Sequence, residues 1–314
     1  MAASPKNPII AFSGPTCSGK TALAVRAAKA LNGEVVNFDS VQIYSGIDIA
    51  TAKPTAEEMD GVPHHLIGYV DPNVNYTAAD WARDAAEKIR EIEARGKRVV
   101  LVGGTGFYLR TLRQPLFESP KTDSELRERL RNILARRGND HLYRMLQRVD
   151  AGAAAEFDAN DSVRVIRALE HYFQTGRRIS DVWYERAEPP EFADRVRLFV
   201  LDPDRKTLYD KINRRTEAHF RNGLVNEVKH LLDSGVNQYG NALGAHAYRR
   251  VCEYLRGERT LESAVERSKQ DVRNYAKRQW TWFRKEPDAY WLAGFGDDPT
   301  AFDELLTALD LRSY

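Results

Sequence analysis

Only two cysteines, Cys17 and Cys252, occur in 314 residues, so neither a disulfide framework nor a cysteine-based metal cluster can organise this chain. That scarcity leads to the expectation of a reducing, cytoplasmic setting. No apolar run approaches the ~18 residues that a membrane span requires, and residues 1–8 lack the apolar core of a secretion signal. Neither a membrane partner nor export is expected. Charge of one sign is missing too: 47 Lys and Arg face 45 Asp and Glu, so any affinity for nucleic acid must come from local clusters. No internal repeat or low-complexity tract breaks the pattern. What remains is an ordinary globular chain, long enough for one large or two smaller domains.

Against that background one stretch stands out. Ile9-Ile10-Ala11-Phe12 is followed by Ser13-Gly14-Pro15-Thr16-Cys17-Ser18-Gly19-Lys20-Thr21 and then by an alanine-rich run to Leu31. This is strand, G-x-x-x-x-G-K-T, helix: the spacing of a phosphate loop. Gly14 and Gly19 let the backbone curl until successive N–H groups point inward, and the following helix directs its positive end to the same place. Lys20 adds a full charge, and the Thr21 hydroxyl can ligate Mg²⁺. The ligand carries at least two phosphates, and a nucleotide such as ATP is the first candidate.

Further along, Glu34–Phe38 reads as a second strand, and it stops at Asp39-Ser40. In open parallel sheets ligands sit at the carboxyl ends of strands, so Asp39 is delivered to the edge that holds the phosphate loop. Residues 41–54 form a long, residue-specific loop. Leu66–Val70 is expected to be a third strand. Thr77 with Asp80 reads as an N-cap pair, opening a helix that places Ala82, Ala85, Ile89 and Ile92 on one face and ends at Gly96. Val99–Val102 has the continuous β-branched run of a buried parallel strand. It breaks into a second glycine turn, Gly103-Gly104-Thr105-Gly106.

From residue 122 to about Arg186 no strand is expected. Glu125–Arg137, His141–Val149 and Ser162–Gln174 read as helices instead, and Ala187-Glu188-Pro189-Pro190-Glu191 marks a boundary. Val196–Leu201 then reads as a strand rejoining the sheet, with helices from Thr207 onward and the longest at about Leu261–Arg284. The predicted fold is α/β, a P-loop NTPase-like parallel sheet core with an inserted all-helical subdomain: residues 1–119 form the first part of the core, 120–190 the insert and 191–314 the completion.

A phosphate-loop hydrolase normally sets a magnesium-holding Asp at the end of a neighbouring strand. Here the best buried strand ends in glycine, and Asp39 is the one carboxylate expected at a strand end near the loop. It can hold Mg²⁺, act as a general base or simply cap the next turn. Two basic clusters lie elsewhere. Arg127, Arg129, Arg131, Arg136, Arg137, Arg144 and Arg148 crowd the insert, followed by Arg164, Arg167, Arg177 and Arg178. Near the C-terminus, residues 273–285 interleave basic and aromatic side chains, which suits phosphate pairing beside base stacking. Either cluster is also compatible with a solvated helix face, and Trp280 and Phe283 are expected in the core with Lys277, Arg278 and Arg284 facing out. A third cluster, Lys211 to Arg215, follows the rejoining strand and can face the phosphate site.

Six segments together closely resemble the bacterial tRNA dimethylallyltransferase (tRNA isopentenyltransferase) family over about residues 9–292. They are the phosphate loop, Asp39-Ser40-Val41-Gln42-Ile43-Tyr44, Asp48 to Pro54, Pro63-His64-His65-Leu66, Val102 to Tyr108, and Lys277 to Trp282. The phosphate loop is widely shared, whereas the Asp-Ser-x-Gln-x-Tyr and Thr-Ala-Lys-Pro pieces are close to diagnostic.

The resemblance implies transfer of a dimethylallyl group from dimethylallyl diphosphate to N6 of the adenosine 3′ of the anticodon, with Mg²⁺ as cofactor, the tRNA anticodon arm as partner and a monomeric enzyme. It implies that Gly14, Pro15, Thr16, Cys17, Ser18, Gly19, Lys20, Thr21 and Arg215 hold the diphosphate, with Thr21 on the metal. By the same resemblance Asp39 is the base, and Ser40, Val41 and Gln42 line the flipped base. Thr105, Arg127, Val163, Arg164, Val165, Ile166, Arg167, Lys277, Arg278, Gln279 and Arg284 would then contact tRNA.

Departures from the family pattern are Cys17 for an alanine, Gly68 where Asp is common, and the segment Leu243-Gly244-Ala245-His246-Ala247-Tyr248. Adjacent His64 and His65 point apart in an extended segment and are read as structural. A small-molecule phosphotransferase and a non-catalytic RNA-binding protein are the alternatives. The basic insert and C-terminal helix argue against the first. The convergence of Asp39, Thr105 and the phosphate loop on one sheet edge argues against the second.

Overall fold

A computed structural model describes residues 7–309, except residues 118 and 122 and the side chain of His246. The chain divides into two compact units, Met1–Arg113 with Pro190–Tyr314, and Gln114–Pro189.

The larger unit is built on one sheet. Its strands are β1 (Ile9–Ser13), β2 (Gly33–Asn37), β3 (His64–His65), β4 (Arg98–Val102), β5 (Val196–Asp202) and β6 (Tyr290–Ala293), with α1 (Lys20–Ala30), α2 (Ala56–Met59), α3 (Ala78–Ala94) and α4 (Gly106–Arg113) among the first four. The order is β3-β2-β4-β1-β5-β6, and every pairing is parallel. Side chains alternate between two cores. Ala11, Val36, Leu101 and Val200 face one, and Ile10, Phe12, Val35, Val100 and Leu201 face the other. Central β1 therefore presents its carboxyl end, and the phosphate loop, between the ends of β4 and β5.

Two expectations about strands need correction. Leu66–Val70 is not a strand. Pairing ends at His65 because Leu66 (φ 61°) and Gly68 (φ 62°) turn left-handed, and only Val70 returns, in an isolated bridge to Tyr44. The edge strand β6 is an addition to the expected set, for Tyr290–Ala293 is too short and mixed to show a period. The capping box at α3 forms as expected, with Thr77 and Asp80 bonded reciprocally. Behind it Trp81, fully buried, donates Nε1–H to Asn37 O at 2.9 Å and stacks on Tyr108 at 5.0 Å between ring centroids. That contact fixes the end of β2, and with it the start of the Asp39 turn.

The smaller unit contains α5 (Ser124–Val149), α6 (Ala151–Glu156), α7 (Ser162–Thr175) and α8 (Ile179–Val182) around Leu130, Leu142, Leu146, Val165 and Leu169. Gly138 (φ 76°, ψ 173°) breaks α5 into two helical pieces. A single bridge, Phe117 to Arg186, is the sole β pairing among its described residues. In the larger unit a 3₁₀ turn (Ala193–Arg195) leads into β5, and α9 (Arg205–Arg221), α10 (Leu224–Asp233), α11 (His246–Leu255), α12 (Leu261–Phe283) and α13 (Pro299–Ala308) complete the chain.

Candidate active site

The phosphate loop adopts the inward-curled form its spacing calls for. Gly14 (φ 141°), Cys17 (φ 66°) and Gly19 (φ 85°) all have positive φ. A Cβ on Gly14 would lie 2.9 Å from Leu201 O, and one on Gly19 2.9 Å from Gly296 N, so both glycines are also required by close packing. Cys17 adopts the left-handed region without that freedom, a cost retained where it turns N–H groups inward. The turn after β6 braces the loop from outside, with Gly296 N–H donating to Ser18 O at 2.8 Å.

Lys20 folds back over the loop, donating Nζ–H to Gly14 O (3.1 Å) and Pro15 O (2.8 Å). Burial, with Arg215 nearby, lowers its pKa to about 8 against the opposing pull of Asp39 and Cys17. A cation held that low is poised for an anion. Arg215 reaches the loop from α9, donating Nη2–H to Thr16 Oγ1 at 2.6 Å. Ser18 is fully buried and its Oγ has no protein partner.

The same edge carries the turn after β2. Asp39 Oδ1 accepts from Val41 N–H (2.9 Å) and Gln42 N–H (3.3 Å), so the capping role is real, and Oδ2 is the oxygen left for other work. Thr105 Oγ1 accepts from Ser40 N–H (3.0 Å) and lies 3.2 Å from Ser40 Oγ. Gln42 is committed through Nε2, which donates to Thr51 O (3.1 Å) and Ala52 O (2.9 Å), binding the long loop into one piece.

These parts meet in a cleft lined by Thr16, Asp39, Val41, Ala50, Thr51, Arg215, Thr216, His219, Ala245, Ala247, Tyr248, Val272 and Tyr275. Polar and charged groups cluster where Arg215 meets Thr16, and small apolar side chains gather around Tyr248. Three of the lining residues receive no role from the sequence, although Tyr275 lies in the basic-aromatic stretch 273–285. His219 lies one helical turn beyond Arg215, which is the spacing that could have found it. Burial and Arg215 lower its pKa to about 4 and keep it neutral. Burial raises the Tyr275 phenol, which bonds to Thr105 and Gln279, and so it stays protonated. Tyr248 belongs to the segment that departs from the family pattern.

Several expected roles change. Gln279 does not face outward: it is buried, its Oε1 accepts from Thr16 N–H at 2.7 Å and its Nε2 donates to Gly104 O at 3.1 Å. It therefore ties the phosphate loop to the second glycine turn. The glycines of that turn serve a close approach, since a Cβ on Gly104 would meet Gln279 Nε2 at 2.1 Å and one on Gly106 would meet Trp282 Nε1 at 2.1 Å.

Asp39 is not alone at a strand end. Asp202 closes β5, but Trp280 Nε1–H occupies its Oδ1 at 2.8 Å. In the helical unit Val165 and Ile166 are core residues, which removes them as contacts for a nucleic acid. Arg127 and Arg167 both converge on the fully buried Glu170, and Arg167 also donates to Ser119 Oγ at 2.6 Å. Val163 and Arg164 are exposed.

Lys277 and Arg278 on α12 and Arg284 just after it are exposed as expected and pair with no carboxylate among the described residues, while Trp280 and Phe283 are buried. His65 Nε2 pairs with Glu34 (2.6 Å) and His64 Nδ1 lies 2.8 Å from Val62 O. Among the described residues no group of three or more His, Cys, Asp or Glu side chains could hold a metal ion, and no helix is long and apolar enough to cross a membrane. The site therefore offers no dedicated all-protein cage for a cation among the described residues. That is compatible with a cation carried mainly by phosphate oxygens and water, as Mg²⁺ commonly is.

A family model described as IPP transferase matches residues 42–286. The tRNA dimethylallyltransferase of Koribacter versatilis (strain Ellin345) is 45% identical over 293 residues, which are 93% of this chain and 95% of that protein. That of Geobacter metallireducens is 43% identical over 307 residues, 97% of each. The solved structure of the full-length tRNA isopentenylpyrophosphate transferase from Bacillus halodurans aligns with a TM-score of 0.68 at 38% identity, covering 97% of this chain and 94% of that one. A eukaryotic dimethylallyltransferase acting on tRNA aligns with a TM-score of 0.76 at 28% identity, covering 96% of this chain and 78% of that one.

Proposed function

The chain belongs to the IPP transferase family, and from that membership and its cleft we propose that it transfers the dimethylallyl group of dimethylallyl diphosphate to N6 of the adenosine 3′-adjacent to the anticodon in tRNA. The observation that carries this reading is the composition of the cleft. One anion-binding end (Thr16, Arg215 and the phosphate loop) and one carboxylate (Asp39) share a single cavity with a wall of small apolar side chains. A hydrolase normally sets a magnesium-holding acid at the end of the buried strand beside the loop, whereas β4 runs into Gly103, and Asp202 at the end of β5 gives one of its two oxygens to Trp280.

The chemistry follows from those parts. N6 attacks the allylic C1 while the C1–O bond breaks, and the electron pair leaves with pyrophosphate. The uncommitted N–H groups of the phosphate loop, Lys20 and Arg215 stabilise that departing charge. Mg²⁺, with Thr21 as its protein ligand, would neutralise the same oxygens. Asp39 takes the N6 proton on Oδ2, its Oδ1 staying on the Val41 and Gln42 amides. The adenosine must leave its stack to reach this edge, at a cost of about a few kcal/mol. Ser40, held by Thr105, would line it.

In the larger unit, exposed Lys277 and Arg278 on α12 and Arg284 just after it support contact with a nucleic-acid backbone, and in the helical unit exposed Arg164 supports the same kind of contact. We take the helical unit Gln114–Pro189 to be a tRNA-binding module and the enzyme to act as a cytoplasmic monomer.

Purified protein with dimethylallyl diphosphate, Mg²⁺ and unmodified tRNA bearing adenosine after the anticodon is expected to yield N6-(dimethylallyl)adenosine and pyrophosphate. Absence of the prenylated nucleoside, with ATP turned over instead, would favour a phosphotransferase.

A further inference from the structure

The apolar side of the cleft is held in a specific way. Tyr248, at the start of α11, is 1% exposed and lines the cavity with its neighbours Ala245 and Ala247. Its hydroxyl donates to Glu227 Oε1 at 2.5 Å and accepts from Ala50 N–H at 3.1 Å. Glu227 uses its other oxygen to accept from Ile49 N–H (3.1 Å) and Asp48 N–H (3.4 Å). One carboxylate thus pins both a ring and the loop on which Ala50 and Thr51 line the same cavity. Burial, reinforced by Glu227, raises the phenol pKa, so it remains the donor in this clamp. The lining next to Tyr248 in the chain, Ala245 and Ala247, and Ala50, whose N–H it binds, are all small.

We propose that the pinned Tyr248 ring is the end wall of the donor cavity and that it restricts the transferable group to five carbons. Close-packed walls that cannot yield exclude a longer chain, whereas the three alanines leave room for a branched C5 group. The Glu227 clamp keeps the ring from swinging aside, so the limit is a rigid one. This proposal rests on the prenyl-transfer reading above and adds the selection of donor length.

The test compares geranyl diphosphate with dimethylallyl diphosphate on the same unmodified tRNA. Wild-type protein should transfer the dimethylallyl group and reject the geranyl group. Tyr248→Ala should raise the ratio of kcat/KM for geranyl over dimethylallyl by about tenfold or more. Because removing a buried ring can unfold the chain, Ala247→Leu serves as a second variant: it fills the cavity, so KM for dimethylallyl diphosphate should rise about tenfold while inhibition by inorganic pyrophosphate, which needs only the anion end, stays unchanged. A folded Tyr248→Ala protein with the wild-type ratio would overturn the end wall, and so would an Ala247→Leu protein with unchanged KM. Wild-type protein that prenylates no tRNA would count against the transferase reading itself, and active wild type with unshifted variants counts against the wall alone.

Discussion

Gln279→Leu separates the structural role of this residue from a contact with nucleic acid. The substitution keeps most of the side-chain volume and removes the bonds to Thr16 N–H and Gly104 O, along with the one to the Tyr275 hydroxyl, which keeps Thr105. Each polar group stranded in a buried setting costs about 1–3 kcal/mol, and Thr16 is only part-buried, so a total loss of about 2–4 kcal/mol is expected. For a unit of this size each kcal/mol moves the melting midpoint by about 2–4 °C, giving a drop of about 5–15 °C. Thr16 also positions the hydroxyl that Arg215 holds, so KM for the diphosphate donor should rise in step. Affinity for tRNA, and its dependence on salt, should stay near wild type. Thermal melts by circular dichroism, donor KM and tRNA Kd at two salt concentrations decide the matter. An unchanged melting point and donor KM together with weaker tRNA binding would refute the reasoning, because Gln279 would then be spending its amide on RNA.

Asp39→Asn retains an oxygen for the Val41 and Gln42 amides, so folding and tRNA affinity should persist while kcat falls about 10²–10⁴-fold; normal turnover would remove Asp39 as the base. Lys20 loses its proton in the free protein as pH rises through about 8, and bound pyrophosphate favours the charged form. Pyrophosphate affinity by calorimetry should therefore be level below that pH and weaken above it, by no more than about tenfold per unit; a flat profile would show that Lys20 does not meet the anion. Arg127→Ala leaves the buried Glu170 with only Arg167, at 3.4 Å, and should destabilise the helical unit by about 3 kcal/mol, read as faster amide exchange in α7. Replacing Lys277 and Arg278 by Ala should weaken tRNA binding and reduce the slope of log K against log salt by about 0.7–0.9 for each phosphate that is no longer neutralised; an unchanged slope would place both side chains off the RNA.

Local sequence was enough wherever the physics is local. A glycine at each end of four intervening residues, followed by Lys-Thr and a helix, can satisfy its φ angles and its N–H groups in very few ways, and residues 14–21 take the form those letters demand. The Thr77–Asp80 box, the buried β-branched run of β4 and the outward Lys277 and Arg278 were legible for the same reason: each is set by a period or a spacing within one element. Strand β3 with Leu66 to Val70, the edge strand β6 and the burial of Gln279, Val165 and Ile166 were not, because their environments are made by partners far away in the chain. Gln279 meets Thr16 across 263 residues and Gly104 across 175. Arg127 meets Glu170 only once two helices pack. Charge in a sequence says that a side chain can pair, and only the tertiary structure says with what. The phosphate loop was therefore readable from its own residues as a cradle for phosphate groups. The arrangement beside it, Asp39 with one oxygen committed, Arg215 delivered by α9 and small side chains next to Tyr248, exists only where β1, β2, α9 and α11 come together, since no single segment contains the distances that define it.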